Sequence, residues 1–203
     1  GLVGRALKRV EDPRFLTGGA RYVGDLALPG MLHAAFLRSP HAHARILRVD
    51  CSPALTRPGV VACVAGPEVA RRVKPERAAS RMKGYQTTDF PALALEKVRY
   101  VGEAVAAVVA ETRYLAEDAG EKIVVEYEPL PPVQDPEVAM EGGSAILHAE
   151  AARNVLLSRE FARGDPERAF EEAAVVVGDR FRFHRHAGIA METRAYLADW
   201  EPG

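Results

Sequence analysis

Short stretches with a strand pattern alternate with short helical patterns along this chain. Leu32 to Arg38 and Ala44 to Val49 read as β-strands, parted by Ser39-Pro40, because proline is poorly tolerated inside a central strand. Ser52 followed by Pro53 is a cap and first-turn pair, which predicts a brief helix that Pro58-Gly59 must stop. Val60 to Ala65 is an unbroken apolar run between Pro-Gly and Gly-Pro, the pattern of a strand covered on both faces. Residues 73–91 change character. Lys74, Arg77, Arg81, Lys83 and Asp89 fall among few large apolar residues with no sustained period, which predicts a long exposed loop. Of all segments, this is the one expected to meet another polypeptide.

The clearest local pattern follows. Val98 to Val101 and Ala104 to Ala110 are strand-like around Gly102-Glu103. Thr112 can cap a helix with Leu115, Ala116 and Ala119 on one face and Glu117, Asp118 and Glu121 towards water. Ile123 to Tyr127 returns as a strand, ended by Pro129, Pro131 and Pro132. This strand–helix–strand unit is long enough for a crossover, right-handed if the strands are parallel. From Pro129 to Asn154 the chain is rich in Pro, Gly and Ala and reads as a connecting strap. Asn154 to Ala162 reads as a strand, and Asp165-Pro166 opens a helix through Ala173 with Ala169 and Phe170 inward. Val175 to Phe183 and Arg194 to Trp200 read as strands that need pairing partners. Strands mixed with short helices in irregular order predict an α+β fold.

Composition narrows the setting. With 203 residues, 48% of them hydrophobic, the chain can bury a core, as one generous domain or one domain and part of another. A net charge of -1 with interspersed signs leaves no overall electrostatic footprint for nucleic acid or an anionic membrane. The longest apolar run, Ala104 to Ala110, is too short to cross a bilayer. Cys51 and Cys63 are the only cysteines and no secretory signal precedes them, so a reducing cytoplasm is the expected compartment. The two could bridge, though nothing in the sequence requires it. Gly1 is not an initiator Met, and the chain stops just after a strand pattern, so a cut or a continuation elsewhere is expected.

Several residues could carry chemistry. His41-Ala42-His43 and His184-Arg185-His186 could each present two imidazoles to one metal, but no Cys-x-x-Cys or His-Glu-x-x-His supplies further ligands. Hydrogen-bonded structural histidines are therefore the favoured reading, and no protein-ligated metal site is expected. Gly18-Gly19 lacks any dinucleotide or Walker pattern and reads as a turn. Glu103 beside Gly102 is either a buried acid or, more commonly, a turn carboxylate. Glu11 and Asp12 lie before Pro13 and read as turn chemistry. No nucleophile elbow occurs, and no catalytic residue is expected in this chain. Within Met191-Glu192-Thr193-Arg194, Glu192 and Arg194 would share a strand face, where an arginine can clamp an anion.

Taken in order, several stretches share one likeness. Arg9-Val10-Glu11-Asp12-Pro13-Arg14-Phe15-Leu16-Thr17-Gly18 with Arg21-Tyr22-Val23 resembles the opening of xanthine dehydrogenase, aldehyde oxidase and carbon monoxide dehydrogenase large subunits. Leu37-Arg38-Ser39-Pro40-His41-Ala42-His43-Ala44-Arg45-Ile46 is similar to that family's most specific early motif. Tyr100-Val101-Gly102-Glu103 with the apolar run to Ala110, Ala116-Glu117-Asp118-Ala119, and Val125-Glu126-Tyr127-Glu128-Pro129-Leu130-Pro131 complete the series. Together they cover nearly the whole chain.

The resemblance implies an α/β-hammerhead domain over residues 1–155, then the first strands of a molybdenum-cofactor domain over residues 156–203. It places His186, Glu192 and Arg194 near the cofactor, with a glutamine in some relatives where this chain has His186. The implied chemistry is oxidative hydroxylation, with molybdopterin in its cytosine dinucleotide form, a glutamate base, and electrons leaving through iron–sulfur clusters to FAD on partner subunits. Expected partners are the remainder of the large subunit, the iron–sulfur and FAD subunits, and a second copy of that assembly. The resemblance puts the glutamate base and a glycine-rich Phe-Gly-Gly segment beyond Gly203, so the chain alone is expected to be non-catalytic. The competing readings are a free-standing hammerhead that binds a partner through residues 73–91, and a small metal protein using His41, His43 and His184.

Overall fold

The computed structural model describes every residue except 79, 185, 191, 202 and 203. The chain divides into two units, one formed by Gly30–Ala169 and the other by Gly1–Pro29 with Phe170–Gly203. Among the described residues all strands lie in the first unit: β1 His33–Arg38, β2 Ala44–Asp50, β3 Val60–Ala65, β4 Glu76–Ala78, β5 Thr88–Phe90, β6 Lys97–Val98, β7 Ala104–Ala110 and β8 Val124–Pro129. The helices are α1 Asp12–Leu16, α2 Ser52–Leu55, α3 Gly66–Ala70, α4 Arg113–Gly120, α5 Pro136–Met140 and α6 Pro166–Glu171. This is the α+β mixture that the sequence predicts.

The strands form two three-stranded sheets, β1-β7-β3 and β6-β2-β8, and a β4-β5 ribbon, with every ladder antiparallel. The condition of parallel strands is not met: α4 carries the chain from β7 in one sheet to β8 in the other. Strand β7 is central, so its run of alanine and valine is covered throughout. Edge strand β3 is not, and Val61 is 56% exposed, which corrects the expectation of cover on both faces. An apolar run of strand length does not by itself distinguish the centre of a sheet from its edge.

The core is built from small residues. Ala54, Ala106, Ala116 and Ala119 are fully buried, and with Cys63, Val108 and Ile123 they bring α2 and α4 close to the β1-β7-β3 sheet. A second cluster, Ala44, Ala94, Val98 and Val105, packs beneath β2 and β8, and Val49 and Val125 touch both. The Thr112 hydroxyl accepts from the Leu115 amide at 3.2 Å, the predicted cap of α4. Helix α2 starts one residue earlier than expected. Cys51 is its N-cap, and the Asp50 carboxylate takes the Ser52 amide at 2.9 Å, which lowers the Asp50 pKa. Cys51 and Cys63 are free thiols in the same core cluster, and burial pushes the Cys63 thiol up, with Cys51 adding to the shift.

Residues 73–91 are more ordered than their composition suggests. Arg77 and Asp89 stand opposite each other across β4 and β5 and pair at 2.7 Å. Two three-residue strands are too short to print a period on the sequence, which corrects the loop expectation. The strap after Pro129 contains α5, capped by the Asp135 carboxylate on the Glu137 amide at 2.8 Å.

In the other unit, Phe15 and Tyr22 stack with ring centres 5.8 Å apart after the turn of α1. No strand forms beyond β8 among the described residues, so the three strands expected at 154–162, 175–183 and 194–200 are corrected. A strand exists through its ladder, and among the described residues these segments form none; the Leu156 carbonyl accepts a single bond from the Gln86 amide at 2.8 Å. Val177, Phe183, Ile189 and Trp200 are each at least 85% exposed. Helix α6 ends at Glu171, short of Ala173, and Ala169 and Phe170 are exposed where an inner face was expected.

Two glycines make opposite tests of this packing. A Cβ on Gly66 would lie 2.1 Å from the Ala94 carbonyl oxygen, whereas one on Gly120 meets nothing within 4 Å. Gly66→Ala should lose roughly 1–3 kcal/mol by overpacking. Gly120→Ala should gain roughly 0.4–1 kcal/mol through the unfolded chain. Urea unfolding reads both signs, and coincident midpoints would contradict this account of the α3 and α4 contacts.

Candidate functional site

The residues implicated by the sequence near the cofactor lie in the unit formed by the two ends of the chain. Tyr22 starts a tight turn in which its amide donates to the Asp25 carboxylate at 2.9 Å. The next amide, Val23, donates to Glu192 Oε1 at 3.4 Å, and a Cβ on Gly24 would lie 3.9 Å from that of Ala195. Glu192 therefore ties residues 192–195 to the N-terminal turn. No ion pair joins it to Arg194. His184, His186, Glu192 and Arg194 are all exposed. Arg185 and Met191, which complete the two motifs, lie outside the described residues.

Binding sites bury most of their ligand, typically about 70–90% of a drug-sized one. Three exposed side chains supply donors and acceptors but do not by themselves enclose a pterin. The residues present form at most one wall of such a site.

In the other unit, the His41-Ala42-His43 motif is a corner between β1 and β2. The Ser39 amide donates to the Glu103 carbonyl and the Gly102 amide to the Ser39 carbonyl, both at 2.8 Å. The Ser39 hydroxyl donates to the His41 carbonyl and accepts from the His41 amide, each at 3.0 Å. His43 is buried, with Nδ1 donating to the Pro131 carbonyl at 2.8 Å. The His41 ring meets Tyr127 edge-on at 4.8 Å, and burial raises the Tyr127 hydroxyl pKa against a partial offset from Ser39. Both histidines hold the corner closed. Among the described residues no group of three or more His, Cys, Asp or Glu side chains could hold a metal.

Glu103 proves to be buried and a turn carboxylate at once. It accepts from the Arg99 amide, while the Arg99 guanidinium lies 3.8 Å from it and donates from Nε to the Leu147 carbonyl at 3.0 Å. Gly102 beside it takes φ +91°, a conformation that glycine alone adopts freely. Lys97 donates to the Ile146 carbonyl at 3.2 Å. Asn154 finishes the strap: its amide donates to the Ala145 carbonyl at 2.9 Å and its oxygen accepts from the Leu147 amide at 3.1 Å. Arg99, Asn154, His148 and Glu150 were missed by sequence reasoning: Arg99, Asn154 and Glu150 bond to backbone groups that carry no residue signature, and His148 meets the Phe90 ring only through the fold.

Against this geometry, comparison with known proteins is direct. Residues 17–131 match the a/b hammerhead domain of aldehyde oxidase and xanthine dehydrogenase, and residues 147–203 match the molybdopterin cofactor-binding domain. The chain belongs to the aldehyde oxidase and xanthine dehydrogenase family. It is 38% identical to the 6-hydroxypseudooxynicotine dehydrogenase complex subunit gamma of Paenarthrobacter nicotinovorans, covering 98% of this chain and 25% of that protein. It is 40% identical to the carbon monoxide dehydrogenase large chain of Afipia carboxidovorans, over 96% of this chain and 25% of the relative. Among solved structures, quinoline 2-oxidoreductase from Pseudomonas putida 86 superposes with a TM-score of 0.77 at 44% identity, covering 87% of this chain and 22% of that one. The chain thus spans about a quarter of the length of these relatives. No helix among the described residues is long and apolar enough to cross a membrane.

The strap supplies a test by pH. Burial is the main cause of a lowered His148 pKa, reinforced by Arg99 and Lys97 and opposed by Glu150, whose carboxylate is 3.6 Å away. The neutral ring is favoured in the fold, so its contribution is complete above the ordinary value of 6.5 and is lost as pH falls from there. Glu150 is shifted down, chiefly by backbone hydrogen bonds, and its contribution survives to lower pH. Hydrogen-exchange protection of residues 146–154, corrected for intrinsic rates, should therefore decline between about pH 7 and pH 5. His148→Gln should flatten that profile. A wild-type profile already flat would rule out the coupling.

Proposed function

We propose that this chain is the front part of the large, molybdopterin-binding subunit of a molybdenum-dependent oxidoreductase. The substrate class is a small aldehyde, a purine or other N-heterocycle, or carbon monoxide. In this reading residues 1–155 serve as the hammerhead domain and residues 156–203 begin the cofactor domain. The observation that carries it is the order of the two matches, a hammerhead over 17–131 followed at once by a cofactor-binding segment over 147–203. Exposed Val177, Phe183, Ile189 and Trp200 support it, because such a segment calls for further strands to cover it.

Molybdopterin, as the cytosine dinucleotide, supplies the redox chemistry when bound, and electrons pass to iron–sulfur and FAD subunits. Relatives named as a complex subunit gamma and as a large chain support a multi-subunit assembly, which itself pairs with a second copy. His186, Glu192 and Arg194 face the cofactor region, Arg194 offering a planar set of donors suited to a phosphate. Glu192 positions that segment through the Val23 amide. The chain alone holds no complete site and is non-catalytic, and the assembly works in the cytoplasm.

Purification of the assembly from its source cell tests this. Molybdenum, iron and FAD should co-purify in fixed ratio with the chain, and mild acid hydrolysis should release a cytosine nucleotide. Glu192→Ala should lower the molybdenum content several-fold while leaving the hammerhead thermal transition unchanged. An assembly free of molybdenum would refute the proposal. Stoichiometric molybdenum with aldehyde oxidation by the isolated chain would refute its non-catalytic part.

A further inference from the structure

Between Arg71 and Lys83 the chain carries six cations, Arg71, Arg72, Lys74, Arg77, Arg81 and Lys83, against the single acid Glu76. The whole chain has a net charge of -1, so positive charge is strongly concentrated here. All six are exposed. Asp89 neutralises Arg77, and none of the other five makes an ion pair among the described residues.

The same stretch borders a shallow apolar depression of about 30 Å³, lined chiefly by Val69, Val73, Pro75, Pro91, Leu93 and Leu95. Val73 is 52% exposed and Leu95 39%. Arg71, Arg72 and Lys74 are interleaved with lining residues Ala70, Val73 and Pro75, so the cationic side chains are tethered to its wall. Gly66 also lines the depression, held where a Cβ would strike the Ala94 carbonyl.

We propose that this face docks an acidic polypeptide segment, which presents aliphatic side chains to the depression and carboxylates to Arg71, Arg72 and Lys74. Three features select that occupant. The depression is far below the usual range for small-molecule pockets, about 300–1,000 Å³, and offers a shallow apolar surface on which aliphatic side chains can pack. Its lining of aliphatic residues and proline has no aromatic face on which a nucleic-acid base could stack and no side-chain donor for a phosphate. Its cationic rim favours carboxylates, and such rim charges act mainly on encounter rate and salt dependence. The inference stands on this unit alone and does not require the cofactor reading.

Fluorescence anisotropy on the full chain tests it, using a labelled synthetic peptide of alternating glutamate and leucine. Comparison probes are a glutamate–serine peptide of equal charge, a DNA duplex, and vesicles rich in phosphatidylserine. The glutamate–leucine peptide should bind at least about tenfold tighter than the glutamate–serine peptide, weakening several-fold between about 50 and about 300 mM salt. Arg71→Glu/Arg72→Glu/Lys74→Glu should abolish binding. Val73→Asp should weaken it about tenfold with circular dichroism unchanged. Equal binding of the glutamate–serine peptide, DNA or vesicles would reduce the face to a general polyanion patch and overturn the proposal. Failure of the glutamate–leucine peptide to bind at micromolar concentration would also overturn it.

Discussion

Strand β7 has hydrogen-bonded neighbours on both edges and side chains buried on both faces, and the Gly30–Ala169 unit is arranged around it. A strand so placed has no room for a polar side chain, and Ala104–Ala110 contains none. Its alanines keep the sheet surface low. Ala106 meets Ala54 and Ala119 in one cluster, so α2 and α4 sit close to the backbone and the core gains density without large side chains. Bulkier residues at these positions would lift both helices away from the sheet.

The turn entering β7 carries the second constraint. Gly102 and Glu103 bond to Ser39, Arg99 bonds to Glu103 and Leu147, and Ser39 closes the corner that holds His41 and His43. Three segments far apart in sequence are joined by polar groups that would be costly to bury singly. The residues of the early histidine motif therefore serve architecture in a hydrogen-bonded corner at the root of two strands, where His43 Nε2 and the Tyr127 hydroxyl stay buried without a hydrogen-bond partner among the described residues.

What could be read from the residues depended on whether a signal was local. The cap at Thr112, the face formed by Ala116 and Ala119, and the apolar run of β7 depend on neighbours within a few positions, and they were legible. The β4-β5 ribbon was not, because its register rests on Arg77 meeting Asp89 across a turn. The segments after Asn154 carried a strand pattern but form no ladder, since pattern records a face that wants cover and cannot supply the neighbour. In the candidate site, the resemblance pointed to Glu192 and Arg194, yet the bond from the Val23 amide to Glu192 could not be read, because a backbone donor leaves no mark in sequence.

That bond joins residues 169 positions apart, and it belongs to a unit whose halves flank Gly30–Ala169. During synthesis from the N-terminus, the first segment emerges long before the residues beyond Phe170 that it will meet. The intervening unit contains all its own ladders and can close while the chain is still being made. The bond between Val23 and Glu192 closes only across that whole segment, so it carries a larger loop-closure cost than any ladder within it. Topology thus separates two kinds of contact: the ladders of Gly30–Ala169 need nothing from outside that segment, whereas the tie between Val23 and Glu192 depends on both stretches that flank it in sequence.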